Sequence, residues 1–349
     1  MTEIINSEKK NIAVIFGGVS SEYEVSLQSA AAVLENFPER YNAVPVWITR
    51  GGEWRLFRGE PSSIREDKLP ADSPRVILPP DRGAGCLLTL GSSNVRIPLA
   101  AAFPVMHGIG GEDGTLQGLI ELSGLPLCGC GTLASALCMD KERSHKLVSA
   151  YGIAVPRSVL LRKGEAVGED VLRTTGLPAF VKPLRGGSSF GITRITDAAE
   201  LHAALEKAFA YDCDAVVEQA IDGVEVGCAV MGERGALTIG EADMIELSGG
   251  FFDFEEKYTL KTSRILCPAP LAEELTERVK WTAAAIYNAL GCSGFARVDM
   301  FLSGSDIVFN EVNTIPGFTE HSRFPIMMKA AGCAFSEVLE RIIDGAVRE

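Results

Sequence analysis

Residues 294–301 read GFARVDMF and residues 310–325 read NEVNTIPGFTEHSRFP, and these two stretches give the strongest indication of the fold. Each begins as a strand in which alternate side chains share a face, so Asp299, Glu311 and Asn313 are expected on one side of a hairpin. Two carboxylates and an amide oxygen suit Mg²⁺. The residues between them are apolar, so the acidic face is expected to face a site rather than to form a surface ion-pair ladder.

The same two stretches supply candidate groups for binding negative charge. Arg297 lies on the strand face that carries the metal-ligand candidates. After the hairpin, a Pro-Gly pair turns the chain sharply. The Gly317 N–H, the Ser322 hydroxyl and the Arg323 guanidinium are there suited to recognise a carboxylate or an oxyanion.

A second site is predicted where Lys182 leads from a buried strand into the loop GGSSFG at residues 186–191. Small residues leave backbone N–H groups free to surround an anion, and Ser188 and Ser189 add hydroxyl donors. The plain alternative is a flexible hairpin tip. The letters also match G-x-S-x-G, with Ser189 as a hydrolase nucleophile, but that motif needs a helix directly after the serine and an alternating strand pattern follows here.

Two loops near the N-terminus are expected to meet at one edge of a sheet. The apolar run at residues 12–16 ends in a glycine turn followed by Glu22, and the run at 100–106 ends in HGIGGEDG, which begins with His107. Ligands collect at the carboxyl ends of parallel strands, which predicts a ligand near these loops. The sequence GGVSSE lacks G-x-G-x-x-G and therefore does not indicate a dinucleotide fold.

Composition excludes several classes of function. The chain has 349 residues, of which 46% are hydrophobic and 23% charged, so it is globular rather than disordered. Its net charge of −13 disfavours nucleic-acid binding and anchoring on anionic membranes. No stretch approaches the ~18 apolar residues of a membrane span, and the N-terminus does not resemble a secretory signal. Nine cysteines without a C-x-x-C pair predict free thiols in a reducing cytoplasm.

Alternating short apolar runs and helical patterns predict a parallel α/β domain over residues 1–130. Strands and helices then mix without strict alternation, which predicts α+β lobes over 131–220 and 221–349. One helix is expected over 133–151. The loop FFDFEEKY at 251–258 fits a lid over a site and an aromatic core patch equally well. The histidines outside these motifs are predicted to lie on helix surfaces: His145 and His202.

Several long segments in the same order resemble the ATP-grasp ligases, specifically the D-alanine–D-alanine ligase family. They are FGGVSSEYEVSLQSA (16–30), HGIGGEDGTLQG (107–118), MDKERSHKL (139–147), VKPLRGGSSFGI (181–192), FFDFEEKYTLKTS (251–263) and the two stretches quoted first. The resemblance implies a pre-ATP-grasp α/β domain followed by a two-lobed α+β ATP-grasp. It also implies a homodimeric enzyme that uses ATP and two Mg²⁺, with Mn²⁺ as a substitute. That enzyme joins D-alanine to a second D-amino acid through D-alanyl phosphate for peptidoglycan precursors.

The resemblance assigns roles to matching positions of this sequence. The ATP contacts would be Lys141, Lys182, Ser188, Ser189, Glu218, Gln219, Ile221, Glu225 and Lys257. The family often has lysine at position 219. The metal ligands would be Asp299, Glu311 and Asn313, and the oxyanion would be stabilised by Arg297 and Gly317. The amino-acid substrates would meet Glu22, His107, Phe252, Lys257, Ser322 and Arg323. A hydrogen-bonded triad would comprise Glu22, Ser188 and Tyr258.

Two positions depart from the common D-alanine–D-alanine pattern. Phe252 stands where tyrosine is usual, and Arg323 stands where an aliphatic residue is usual. Both are similar to the D-alanine–D-serine branch of glycopeptide-resistance ligases, as is EKYTLKTS at 256–263. Tyr258 speaks against the D-lactate branch. The resemblance thus favours D-serine over D-alanine as the second substrate, with mixed use expected because a small pocket discriminates one hydroxyl weakly. The alternatives are another ATP-grasp carboxylate–amine ligase and the Ser189 hydrolase.

Overall fold

A computed structural model of the chain describes residues 9–91, 94–168, 170–187, 189–247 and 263–347. The elements of its first region are β1 (Lys10–Gly17), α1 (Tyr23–Glu35), β2 (Tyr41–Ile48), β3 (Trp54–Leu56), α2 (Pro61–Arg65), β4 (Val76–Ile77), β5 (Cys86–Thr89), β6 (Arg96–Pro98), β7 (Ala101–Val105), α3 (Thr115–Ser123), α4 (Thr132–Met139) and α5 (Lys141–Ala150).

Strand β1 lies inside the first sheet because both of its faces are apolar. Its residues 11–17 are all buried, and it pairs in parallel with β2 on one side and with β7 on the other. A strand covered on both faces is typical of a parallel sheet. The predicted parallel α/β sheet is confirmed, with the short β3 added antiparallel to β2 at the edge. Residues 59–91 contribute α2 and two strands of the small antiparallel sheet β4-β5-β6.

The single helix predicted over 133–151 is wrong, because the chain breaks at Asp140 into α4 and α5. Asp140 has extended backbone angles (φ −90°, ψ 101°), and its carboxylate accepts a hydrogen bond from the Arg143 N–H at 2.9 Å. It is therefore the N-cap of the second helix. The break makes Lys141, a predicted ATP contact, the first residue of α5.

The central region forms an antiparallel sheet in the order β10-β9-β11-β8. Its elements are β8 (Ser158–Arg162), α6 (Asp170–Thr175), β9 (Ala179–Pro183), β10 (Thr193–Ile195), α7 (Leu201–Ala208) and β11 (Asp214–Gln219). Strands β9 and β10 pair antiparallel, with Val181 opposite Thr193, so the predicted hairpin that carries the glycine loop is confirmed. Apolar residues of α6 and α7 pack on this sheet.

The C-terminal region forms a second antiparallel sheet in the order β14-β13-β12-β15-β16. Its elements are β12 (Val224–Glu233), β13 (Ala236–Leu247), β14 (Ser263–Leu266), α8 (Glu273–Ala289), β15 (Phe295–Ser303), β16 (Asp306–Asn313), α9 (Arg323–Ala330) and α10 (Phe335–Val347). Val298, Met300 and Val312 are buried in the cluster that includes α8. This confirms that one face of the metal-ligand hairpin lies in the core.

An aromatic cluster joins the two ends of the chain. The ring of Phe103, on β7, lies 6.0 Å from the rings of both Phe295 and Phe318. Phe318 also stacks on Phe324 of α9 at 5.4 Å. The last helices therefore complete the core beneath the first sheet.

The predicted domain boundaries at residues 130 and 220 fall between elements and stay predictions. Within the described ranges, no helix combines the length and the apolar character needed to cross a bilayer. All nine cysteines are free thiols, as their odd number and spacing predicted.

Candidate active site

The strands that carry the proposed metal ligands, β15 and β16, pair antiparallel. Asp299 lies opposite Glu311, and Arg297 lies opposite Asn313. Asp299 is buried, and its oxygens accept hydrogen bonds from Arg297 Nε at 2.8 Å, from Arg297 Nη2 at 2.6 Å and from Asn313 Nδ2 at 2.9 Å. Burial acts to lower the pKa of Arg297, but the charges of Asp299 and Asp243 and the hydrogen bonds to Asp299 together outweigh it, and the net pKa is raised. Arg297 is therefore a permanent cation at the hairpin.

The hairpin provides a donor set that suits a hard divalent cation. Glu311 is half-buried and has no hydrogen-bond partner among the described residues, so its carboxylate oxygens are available. Together with the Asp299 carboxylate and the Asn313 amide oxygen, they match the oxygen ligands that Mg²⁺ takes in nucleotide sites. Elsewhere in the described ranges, Asp212, Cys213 and Asp214 also lie close together, but both carboxylates are bound to Arg185.

Arg323 is held beside this hairpin by a buried acid that the sequence did not single out. Its Nε and Nη2 each donate to Asp243 at 2.8 Å, and Nη1 donates to Glu225 at 2.6 Å. Nη1 also lies 3.4 Å from Asp299 Oδ1. Although burial alone would lower the pKa of Arg323, Asp243 and Asp299 raise it well above its ordinary value. Two fixed guanidinium groups thus flank Asp299.

Lys182 and Glu218 form a buried ion pair on neighbouring strands of the central sheet. Lys182 Nζ lies 2.8 Å from Glu218 Oε1, and the two side chains are 8% and 2% exposed. Burial acts to raise the pKa of Glu218, but the charges of Lys182, His145 and Lys141 and the hydrogen bond from Lys182 together outweigh it, and the net pKa is lowered. Glu218 Oε2 is buried, and among the described residues it has no hydrogen-bond partner. A buried acceptor of this kind is suited to a ligand that donates a hydrogen bond.

His145, predicted to be a surface residue, is buried, so that prediction is wrong. Its Nε2 lies 2.7 Å from the Asn310 carbonyl oxygen, and its ring packs edge-on against Phe309. The face of α5 that carries His145 therefore packs on β16 next to Glu311. His202 is exposed, as predicted.

The glycine loop meets the start of α5. The Lys141 N–H donates to the Leu184 carbonyl at 3.4 Å, and Lys141 Nζ donates to the Gly186 carbonyl at 2.8 Å. Ser189 has a φ of +60°, a conformation also found at the nucleophile of hydrolases, but the antiparallel strand β10 follows it rather than a helix. The structure accordingly favours the anion-binding interpretation of this loop.

Glu22 lies at the N-terminus of α1, between the loops that begin at His107 and at Gly186. It is buried, and a Cβ atom placed on Gly108 would overlap its Oε2 atom. A Cβ on Gly187 would lie 2.9 Å from the same oxygen. Both glycines therefore let backbone approach this carboxylate, which brings the phosphate-loop candidate close to the first domain.

The loop after the hairpin is held in part by its own hydroxyl groups. Ser322 Oγ accepts a hydrogen bond from the Thr319 N–H at 3.1 Å, and it would lie 2.8 Å from a Cβ placed on Gly317. A cleft of about 800 Å³ opens between this loop, the first domain and the hairpin. Its lining includes Glu22, His107, Arg297, Asn313, Gly317 and Ser322.

The remaining predicted residues lie apart from this cleft or outside the described ranges. Gln219 Oε1 accepts a hydrogen bond from Arg157 Nε at 2.9 Å, and Ile221 is half-buried after β11. The predicted site residues outside the described ranges are Ser188, Phe252, Lys257 and Tyr258, and the lid loop 251–258 lies outside them as well. The residues that the sequence did not single out are Ser29, Glu112 and Asp243. Only Glu112 carried a signal, as an acid within the HGIGGEDG loop.

An α/β domain, two antiparallel lobes, an oxygen-rich hairpin and two lysines beside the glycine loop define an ATP-grasp enzyme. Residues 11–130 match the family model described as D-ala D-ala ligase N-terminus, and residues 147–344 match the D-ala D-ala ligase C-terminus. The chain belongs to the D-alanine–D-alanine ligase family, and it is an ATP-dependent ligase.

Relatives and solved structures agree with this assignment. The vancomycin B-type resistance protein VanB of Enterococcus faecalis is 42% identical over 97% of this chain and 99% of its own length. The crystal structure of VanG D-Ala:D-Ser ligase from Enterococcus faecalis is 50% identical, with a TM-score of 0.89 over 97% of this chain and 99% of that chain. A D-alanine–D-alanine ligase from Bacillus anthracis, complexed with ATP, is 31% identical with a TM-score of 0.74 over 97% and 98% of the two chains.

Proposed function

We propose that this enzyme joins D-alanine to D-serine, and less efficiently to a second D-alanine, in a cytoplasmic reaction that supplies peptidoglycan precursors. The observation that carries the proposal is the cleft, which brings together Glu22, Arg297 and the loop at Gly317. A carboxylate suited to an ammonium group thus faces donors suited to an oxyanion, beside the metal-ligand hairpin. The preference for D-serine rests on Arg323 beside this site and on the likeness to the VanG ligase.

The first step forms an acyl phosphate. One carboxylate oxygen of D-alanine attacks the γ-phosphorus of ATP, and the bond to the bridging oxygen breaks to release ADP. Glu22 would hold the substrate ammonium, while Lys141 and Lys182 would neutralise phosphate oxygens. Asp299, Glu311 and Asn313 would hold Mg²⁺, which when bound draws negative charge from the phosphate oxygens.

The second step forms the peptide bond. The amine of D-serine, after losing a proton to solvent, attacks the acyl carbon, and the C–O bond to phosphate then breaks. Arg297 and the Gly317 N–H would stabilise the tetrahedral oxyanion, an interaction worth about 3–4 kcal/mol per donor. A homodimer and two bound metal ions, both expected from the family, stay predictions.

The test is a competition assay with ATP, Mg²⁺ and equal concentrations of D-alanine and D-serine, followed by mass analysis of the products. We expect phosphate release to require D-alanine, and D-alanyl-D-serine to exceed D-alanyl-D-alanine. Exclusive formation of D-alanyl-D-alanine would reject the proposed second substrate. Phosphate release that responds to L-amino acids or peptides, and not to D-alanine, would reject the whole proposal in favour of another carboxylate–amine ligase.

A further inference from the structure

The backbone of Ile315 is held on both sides by two side chains of the loop at residues 107–114. Its N–H donates to Glu112 Oε1 at 3.0 Å, and its carbonyl oxygen lies 2.8 Å from His107 Nδ1. A carbonyl only accepts hydrogen bonds, so the proton of the imidazole is on Nδ1. Glu112 Oε2 accepts from the Gly108 N–H at 2.9 Å, so its carboxyl group bridges the two loops.

The other imidazole nitrogen continues this arrangement to Phe318. With the proton on Nδ1, His107 Nε2 is an acceptor, and the Ser29 hydroxyl donates to it at 3.0 Å. Ser29 Oγ in turn accepts a hydrogen bond from the Phe318 N–H at 3.2 Å. Burial lowers the pKa of His107 to about 4, which keeps the imidazole neutral, as these bonds require. Ser29, His107 and Glu112 are all buried.

These contacts fix the chain at both ends of a short segment, residues 315–318, which contains Gly317. We propose that Glu112 and Ser29, together with His107, are positioning residues that orient the Gly317 N–H toward the oxyanion of the second step. The proposal rests on the function proposed above. It adds that the first domain, which would hold D-alanine through Glu22, also aligns the group that stabilises the transition state of amine attack.

Loss of this positioning would change the kinetics in a way that a general loss of folded protein would not. An oxyanion donor acts fully only when it is preorganised, and small misplacements slow a step by about 100-fold. If only amine attack slows, D-alanyl phosphate persists longer and water hydrolyses it to D-alanine and phosphate. Each dipeptide then costs more than one ATP. A variant that is merely less folded would make fewer dipeptides at an unchanged ratio of phosphate to dipeptide.

The experiment measures phosphate and dipeptide together in Glu112→Gln and Ser29→Ala. Glutamine keeps the volume of Glu112 but retains only one acceptor oxygen, and alanine removes the hydroxyl that bridges His107 and Phe318. The matched control is Asp113→Asn, because Asp113 accepts hydrogen bonds from the N–H groups of Gly110 and Thr115 within the same loop and does not contact residues 315–318.

We expect kcat for dipeptide to fall about 10- to 100-fold in both test variants, with the KM for ATP unchanged. The ratio of phosphate to dipeptide should rise above one in both, and stay near one in the wild type and the control. A ratio near one in Ser29→Ala would overturn the proposal, as would a raised ratio in Asp113→Asn. Ser29→Ala alone decides the matter if Glu112→Gln does not fold. Failure of the wild type to make dipeptide would reject the proposed function instead.

Discussion

Two hydrogen bonds join the guanidinium of Arg323 to the two carboxylate oxygens of Asp243. Nε and Nη2 donate to the two carboxylate oxygens at 2.8 Å each, and the side chains are 6% and 0% exposed. Such a pair fixes the direction of a guanidinium far better than a single contact does. Arg323 is therefore a cation held in one orientation, beside the region proposed to bind the second substrate.

Gly227→Ala tests this orientation without removing a charge. A Cβ atom at this position would overlap Arg323 Nη2 and would lie 2.8 Å from Asp243 Oδ1, so the pair must shift. We expect the ratio of kcat/KM for D-serine to that for D-alanine to fall about 10-fold, which corresponds to about 1.4 kcal/mol. The competition assay measures this ratio. Gly345→Ala, where φ is not positive and nothing lies within 4 Å of the added Cβ, controls for the loss of a glycine away from this pair.

The ion pair between Lys182 and Glu218 predicts strong coupling in stability. Lys182→Met leaves a buried carboxylate without its partner, so we expect the free energy of unfolding to fall by about 3–5 kcal/mol. Adding Glu218→Gln removes that charge and should restore more than half of the loss. Urea unfolding of the wild type, both single variants and the double variant measures the coupling. Additive effects would show that the two side chains act independently.

Asp140→Ala tests the break between α4 and α5. Loss of the N-cap hydrogen bond to Arg143 should lower the free energy of unfolding by about 1 kcal/mol. Because Lys141 is the next residue, we also expect the KM for ATP to rise several-fold. Asp140→Asn keeps an acceptor at the cap and should retain both stability and KM. Equal behaviour of the two variants would contradict a capping role.

His107 predicts a specific loss of stability in mild acid. Its pKa is lowered to about 4 in the folded protein, against about 6.5 when unfolded, so the unfolded chain binds the extra proton. Its contribution to stability is therefore complete above about pH 6.5 and is lost as the pH falls toward 4. At about pH 5 the free energy of unfolding has fallen by about 2 kcal/mol because of this group. Urea unfolding at about pH 7 and about pH 5 measures the free energy of unfolding, which should decrease less between the two pH values in His107→Gln than in the wild type. Burial and the charge of Glu22 raise the pKa of Glu112, which acts in the opposite direction, so the two proteins are compared at each pH.

Glu311→Gln tests the metal-ligand hairpin. The change keeps the shape of the side chain and removes one negative charge from the proposed Mg²⁺ ligands. We expect turnover to fall at least about 100-fold and the Mg²⁺ concentration for half-maximal activity to rise. Phosphate release measured across a Mg²⁺ titration checks both. Near-normal turnover at low Mg²⁺ would remove Glu311 from the metal site.

Local patterns predicted the parts of the site that depend on local geometry. The two-residue repeat of strands predicted that Asp299, Glu311 and Asn313 share one face of a hairpin, because this follows directly from alternation. Alternation could not predict the register shift after Asp299, which places Met300 opposite Phe309. The parallel first sheet was likewise predictable, because β1 is apolar on both faces.

Features that depend on contacts between distant segments could not be predicted. His145 was predicted to be exposed because histidines in amphipathic helices usually are, but it shares the buried face of α5 with Val148, and β16 packs against that face. The role of Asp243 depends on its ion pair with Arg323, which lies eighty positions later in the chain. The break at Asp140 was missed because apolar residues continue at helical spacing on both sides of it.

The aromatic cluster has a consequence for synthesis of the protein. Phe103 leaves the ribosome long before Phe295 and Phe318, the rings that pack against it in the finished molecule. The apolar face of the first sheet around Phe103 therefore stays exposed until nearly the whole polypeptide has been translated. We expect nascent chains of this enzyme to depend on chaperones during that interval, and released fragments of the first domain to aggregate.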